Sequence, residues 1–571
     1  MMRTALQGVA ATLLCVPMAL ADGHSGERGR DGHLSLIYWQ APSILNPFLS
    51  AGTKDVEAAS LMLEPLARYD ETGTMVPWLA ADIPTVENGG VSEDLTTITW
   101  KIQPGIVWSD GTAFTARDVK FTAEYCMNPD GGCAHGTKFE GVQSVEAPDD
   151  LTVVVTFDGP KPFPYGPFVG VESPILQAAQ FADCMGAAAS TCTEQNFNPI
   201  GTGPFTVTEF RTNDVITLAA NENYREAGKP AFATVTFKGG GDAAAAGRAV
   251  METGEFDYGW NLQLAPEVIA GMQAGGLGTA VAGFGPLVER LMLNQTDPDP
   301  ALGDCRSTAD TPHPFLRDPA VYTALSMAID RPLLVEIGYG QAGRVTCNWI
   351  AAPAAVNSTT FTCDTQDLEG AKAMLEAAGY VDTDGDGVRE TPAGRPMEIL
   401  YQTSTNAVRQ DFQALIKEWW EEIGLSVELR NISSSVFFGG DAGSPDTLQK
   451  FYADVHMYAN TFNGTDPQTY LGNGLCDKAP RPETQWQGEN MSRFCMAEYD
   501  ALHAQLQTTA GAEARAAIAR ALNDMYVGNG GMIPLVHRGR LSAHANTLGG
   551  VKLNVWDSEI WNIADWYRIG E

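Results

Sequence analysis

The spacing of hydrophobic and polar positions changes character along the chain. In the first half apolar residues alternate or come in short blocks. Leu34-Ser35-Leu36-Ile37-Tyr38-Trp39 reads as a first strand, 151–157 (LTVVVTF) is the clearest strand, and 206–218 and 234–237 add more. Segment 100–122 predicts a hairpin feeding a helix. Trp100 and Ile102, then Ile106 and Trp108, lie on either side of Pro104-Gly105, Ser109-Asp110-Gly111 supplies a turn, and Thr115 caps a helix through Val119 and Phe121. In the second half the spacing becomes helical. Asp318-Pro319 opens a helix with Val321, Ala324, Leu325 and Ala328 on one face, and Asp367 opens another that stops at Gly379. Val408, Phe412, Leu415, Ile416, Trp419 and Ile423 form a longer stripe ending at Gly424, after which Leu425, Val427 and Leu429 alternate as a strand. Helix followed by strand, repeated, predicts an α/β lobe. A last helix over 512–527 precedes Ile533-Pro534-Leu535-Val536, read as returning the chain to the first half.

At 571 residues the chain is too long for one ordinary core, so two or three domains are expected. Hydrophobic residues make up 44% and charged residues 19%, which is globular. Seventy acidic residues against 36 basic give a formal charge of −34, spread along the chain. That charge opposes nucleic acid and anionic membrane surfaces as partners. Arg3, an apolar run through Leu13, Leu14 and Val16, and Ala19-Leu20-Ala21 have the layout of a secretory signal peptide over 1–21. Cys15 raises a lipoprotein anchor as the alternative, but no small residue precedes it, so export as a soluble product without membrane insertion is expected. Of the remaining cysteines, Cys126 and Cys133, Cys184 and Cys192, Cys347 and Cys363, and Cys476 and Cys495 lie close in sequence, which suits disulfides in an oxidising compartment. Cys305 could displace either member of the third pair.

Nothing in the chain spells out catalysis. GxSxG, HExxH and GxxxxGK[ST] are all absent, and Gly201-Thr202-Gly203 and Gly239-Gly240-Gly241-Asp242 read as turns. Paired carboxylates of a secreted hydrolase are the competing reading, because Asp and Glu are plentiful. Asp382, Asp384, Asp386 and Gly387 look like the start of a calcium loop, but Ala393 occupies its closing position, so no metal or cofactor is expected. Aromatic and amide side chains at element ends suit an uncharged or zwitterionic solute in a cleft: Trp39, Gln40, Tyr258, Trp260, Asn261, Tyr458, Asn460, Phe462 and Asn463.

Several ordered motifs carry a resemblance. Pro77-Trp78-Leu79-Ala80 precedes segment 100–122, and Gly201-Thr202-Gly203-Pro204-Phe205, Asn221-Glu222-Asn223-Tyr224, Ala328-Ile329-Asp330-Arg331, Asp466-Pro467 and Ile533-Pro534-Leu535 follow it. In this order they resemble the dipeptide- and oligopeptide-binding family of extracytoplasmic solute-binding proteins (family 5), which serve ABC importers. The resemblance implies an α/β, two-lobed periplasmic-binding-protein fold with an extra β-rich subdomain inserted in the first lobe. The expected division is 22–68 with 193–289 and 530–571 as the first lobe, 69–192 as the insert, and 290–529 as the second lobe. It also implies a periplasmic, non-enzymatic monomer that captures a peptide or other small molecule and delivers it to a membrane permease. One departure stands out. Peptide binders of the family commonly carry an aspartate shortly before the Asp-Pro, where this chain has Phe462, Asn463, Gly464 and Thr465. Sugars, opines and metal complexes, also bound within the family, are therefore alternatives to peptide.

Overall fold

The computed structural model describes residues 26–570. The expected signal peptide and Cys15 lie outside them. Two large sheets define two lobes. The first has seven strands, and its central strand His33–Tyr38 is parallel to both neighbours, Thr234–Gly239 and Tyr258–Trp260. Val215–Ala220 and Phe205–Arg211 continue one edge, while Arg540–Ala545 and Gly278–Gly283 complete the other. The second sheet has six strands, ordered Gly343–Val345, Met532–Arg538, Val288–Leu293, Val455–Asn460, Glu398–Ser404 and Ser426–Ile432.

These ladders move two expected boundaries. Val288–Leu293 and Met532–Arg538 pair antiparallel with each other in the second sheet, although 288–289 and 530–538 were expected in the first lobe. Met532–Arg538 is buried along its whole length, and strands on both sides satisfy its backbone, which a returning linker could not achieve. The chain therefore changes lobes at 284–287 and again at Gly539. A Cβ on Gly539 would approach the carbonyl oxygen of Gly283 at 3.2 Å, so the two crossings run side by side.

The helical stripes form where their spacing places them. Pro319–Met327, Leu368–Ala377 and Ala407–Glu422 are N-capped by Asp318, Asp367 and Asn406, whose side chains accept from backbone N–H groups of the first turn. Gly379 and Gly424 follow the latter two at φ +88° and +95°, conformations that glycine adopts without a Cβ clash. Between Tyr69 and Cys192 the insert builds a three-stranded sheet from Thr97–Lys101, Thr152–Phe157 and Val142–Asp149. Helix Ala116–Cys126 starts as expected, with the Asp118 carboxylate accepting from the Thr115 N–H at 2.9 Å. The expected strand at Ile106 and Trp108 does not form. Only a bridge between Val107 and Ala113 remains, and Trp108 instead plugs the core. That core is continuous with the first lobe: Trp100 and Trp108 belong to the same buried cluster as Leu34, Leu36 and Tyr38.

Four disulfides join the cysteines close in sequence: Cys126–Cys133, Cys184–Cys192, Cys347–Cys363 and Cys476–Cys495. Cys305 is free and exposed. Among the described residues no helix is long and apolar enough to cross a membrane.

Candidate functional site

Strand alternation decides what the first lobe offers to the cleft. In His33–Tyr38, Leu34, Leu36 and Tyr38 face the large core shared with the insert, while Ile37 and then Trp39 face the opposite side, against helix Ala243–Met251. Tyr38 stacks on Trp260 with ring centroids 4.7 Å apart. At the end of one strand Trp260, and just past the strand ends Gln40 and Asn261, reach the cleft. Asn261 takes a left-handed φ of +54°, which a short amide side chain tolerates.

The cleft encloses about 130 Å³, against about 20 Å³ for a smaller cavity adjoining it. Both lobes and the insert wall it. The insert contributes His135, Lys138 and Glu172, the first lobe Arg540 and Glu559, and the second lobe Arg290, Trp349, Tyr458 and Arg538. The walls are in contact across the mouth. The Glu489 carboxylate accepts from the Thr137 hydroxyl at 2.9 Å and its N–H at 3.2 Å, and Lys478 pairs with Glu140 at 2.8 Å. Gly464 lies so close to the Tyr69 ring that a Cβ there would come within 2.3 Å. The insert and the second lobe are thus in contact.

Seven of the nine expected ligand residues line this chamber: Gln40, Trp260, Asn261, Tyr458, Asn460, Phe462 and Asn463. Trp39 and Tyr258 do not. Trp39 is buried behind the wall, and its indole N–H donates to the Asn261 carbonyl at 2.8 Å, so it positions a wall residue. Tyr258 packs on Trp566 and donates its hydroxyl to Glu559 at 3.0 Å. Phe462 stacks on Tyr470 at 5.2 Å, leaving an aromatic floor beside Asn463.

The charged groups lining the chamber, and the buried acids behind them, were not foreseen. On the second lobe the buried carboxylate of Glu289 receives Arg409 at 2.8 Å and Arg538 at 3.5 Å, and the Tyr339 hydroxyl at 2.9 Å. Burial alone would push its carboxyl up, but the two guanidiniums and the tyrosine hold it below the ordinary carboxylate range. On the first lobe the buried Glu57 lies 3.7 Å from the Arg540 guanidinium and close to a second buried acid, Glu559. Burial, then the neighbouring charge of Glu559, push the Glu57 carboxyl up to about 7. One cue was present in the sequence: Glu289-Arg290 interrupts an apolar run, and both charges end up buried. Which of the two would face the cleft depends on a partner strand more than 160 residues away, Val455–Asn460.

The calcium-like loop lies apart from the chamber. Asp382, Asp384, Asp386 and Glu390 bring carboxylate oxygens within 4.8 Å of one another, with Glu390 the acid not anticipated. Backbone N–H groups of Gly385, Asp386, Gly387 and Val388 donate to the three aspartates, and Thr383 donates to Glu390, as a tight turn requires.

Two lobes closing on an internal chamber define the class of two-lobed solute-binding proteins. The chain belongs to the bacterial extracellular solute-binding proteins of family 5, whose model matches residues 74–479. Among curated relatives, the oligopeptide-binding protein AppA of Bacillus subtilis is 26% identical over 425 residues, 72% of this chain and 71% of that protein. The solved structure of that AppA, in complex with a nonapeptide, superposes with a TM-score of 0.81 at 20% identity, covering 95% of this chain and all of that one. NikZ from Campylobacter jejuni in complex with Ni(L-His) gives 0.77 at 20% identity over 94% of this chain and 100% of its own. AgaA from A. tumefaciens R10 in complex with agropinic acid gives 0.75 at 19% identity over 95% and 99%.

Proposed function

We propose that this chain is an exported, periplasmic receptor without catalytic activity. It captures a small solute, in the first instance a peptide or peptide-like compound, between its lobes and delivers it as a monomer to an ABC import permease. The observation that carries this reading is the chamber walled by both lobes and joined across its mouth by Thr137–Glu489 and Glu140–Lys478. A receptor of this kind interconverts between open and closed forms, and the solute shifts the balance through its higher affinity for the closed one. AppA supports a peptide, while NikZ and AgaA support non-peptide solutes on the same frame. Asn463 and its neighbours favour that second reading, because a neutral amide lacks the charge-assisted strength of an aspartate toward an α-amino group. A hydrolase is disfavoured by the engagement of the chamber's acids. Glu172 pairs with Lys138, Asp466 with Arg515, and Glu559 accepts from Tyr258 and Ser542.

Small-angle scattering on protein stripped of co-purified solute should show compaction when a binding solute is added. An unchanged radius of gyration with a solute of sub-micromolar affinity would sink the capture-by-closure reading.

A further inference from the structure

The contact across the mouth of the chamber joins loops that are tied down on both sides. The insert shares one core with the first lobe, so its contacts with the second lobe are contacts between lobes. On the second lobe Lys478, Gln485 and Glu489 all lie in the segment closed by the Cys476–Cys495 disulfide. Gln485 accepts from the Ser190 hydroxyl at 2.8 Å, inside the loop closed by Cys184–Cys192. It also donates to the Asp130 carbonyl at 3.2 Å, inside the loop closed by Cys126–Cys133. Three of the four disulfides therefore bracket one contact, and they hold Glu489 against Thr137.

Glu489 is the acid at this contact that is left without a base. From the insert it meets His135, Lys138, Glu140 and Glu172, and from its own lobe Asp477 and Lys478, with His503 near Glu140 and Lys478. Lys138 pairs with Glu172 at 3.2 Å, and Lys478 pairs with Glu140 at 2.8 Å and Asp477 at 3.3 Å. Burial lowers both histidines, which keeps them neutral near pH 7. Among the described residues no basic nitrogen lies within ion-pair reach of Glu489, whose partners are the hydroxyl and N–H of Thr137. Two lysines thus stand against Glu140, Glu172, Asp477 and Glu489 where the walls meet. Burial pushes the Glu489 carboxyl up to about 8, with the Glu172 charge adding to it, against the Thr137 hydrogen bonds and the Lys478 charge. The neutral acid keeps both contacts: Oε2 accepts from the Thr137 N–H, while Oε1, carrying the proton, donates to the hydroxyl.

Resting on the capture reading, in which the lobes part to admit a solute, we propose that closing them takes up a proton at Glu489, so that the receptor holds its solute more tightly in acid surroundings. With the lobes parted the insert no longer covers Glu489, which then titrates at its ordinary value of 4.5. Between that value and about 8 the closed form binds a proton that the open form has lost, so closure is favoured as pH falls through this window and stops responding below it.

Single-molecule energy transfer between dyes on the insert and on the second lobe reads the closed-to-open ratio, first on solute-stripped protein and then with a tryptic casein digest and a mixture of mono- and disaccharides as probes. Between about pH 7.5 and about pH 5.5 the ratio should rise as pH falls, by up to about tenfold per unit, the limit for one proton. In Glu489→Gln, neutral at every pH and similar in shape, the ratio should stay near its acid value throughout. Glu57→Gln should keep the dependence of the unaltered protein, because the contacts of Glu57 with Ser558, Glu559 and Arg540 lie within the first lobe. The profile of the unaltered protein needs no variant to fold. A closed fraction that answers to a probe but not to pH overturns the proposal and leaves capture standing. So does a slope undiminished in Glu489→Gln, or one that vanishes in Glu57→Gln instead. No closed population with any probe at any pH counts against the proposal and against capture together.

Discussion

The two walls of the chamber solve the problem of buried charge in opposite ways. On the first lobe two buried carboxylates, Glu57 and Glu559, lie near one guanidinium, Arg540, 3.7 Å from Glu57, and burial followed by the Glu559 charge pushes the Glu57 carboxyl up to about 7. On the second lobe two guanidiniums share the single carboxylate of Glu289, and Arg290 beside them has none. An arginine cannot relieve its excess by losing a proton near neutrality, so the second wall stays cationic. The lesson is that a surplus acid can be eased by taking up a proton, whereas a surplus guanidinium must find acceptors, as Arg331 and Arg493 do in backbone carbonyls.

The largest expected effect breaks the second wall. Glu289→Gln leaves Arg409 and Arg538 buried without a counter-charge and should destabilise the second lobe by about 3–5 kcal/mol. Calorimetry that found its unfolding transition unmoved would show the pair to be dispensable. The next separates the two tryptophans of the first wall. Trp39→Ala empties a buried site behind the wall and should cost roughly 3–5 kcal/mol of stability. Trp260→Ala removes the ring that meets the chamber and should weaken solute binding by about 1–3 kcal/mol. Melting temperature and affinity measured on both variants check this. A larger loss of affinity in Trp39→Ala than in Trp260→Ala would reverse their roles.

The smallest effect is one of pH and belongs to the first wall. The Glu57 carboxyl releases its proton at about 7 when folded, against an ordinary value of 4.5. Between those values the folded chain holds a proton that the unfolded chain has lost, so this group's contribution is complete below about 4.5 and is lost as pH rises through about 7. The slope is at most about 1.4 kcal/mol per pH unit. Glu57→Gln, which keeps the shape without titrating, should flatten that part of the profile. Parallel profiles for the two proteins would show that Glu57 does not carry it.

Much of this architecture is local and was legible. Asp318, Asp367 and the Val408–Ile423 stripe mark helices because capping and a period of 3.6 act within a few residues. The disulfide partners lie 7 to 19 residues apart in sequence, so nearness along the chain was enough to suggest them. Aromatics and amides at strand ends pointed to the chamber because strand ends are where an α/β lobe presents side chains. Trp39 and Trp260 nevertheless look alike as letters. Only the stacking of Trp260 on Tyr38, against the packing of Trp39 on helix Ala243–Met251, separates wall from support.

What the sequence determined by itself is therefore the set of elements, their caps and the family to which their order belongs, since each rests on residues near one another in the chain. The tertiary structure alone decided that Met532–Arg538 completes the second sheet and that Glu289 finds two guanidiniums where Arg290 finds no carboxylate. Those outcomes depend on hydrogen-bond ladders and charge pairings between residues tens to hundreds of positions apart. A strand's own pattern shows that its faces alternate, but which face meets a core and which meets a solute is set by whatever packs against it.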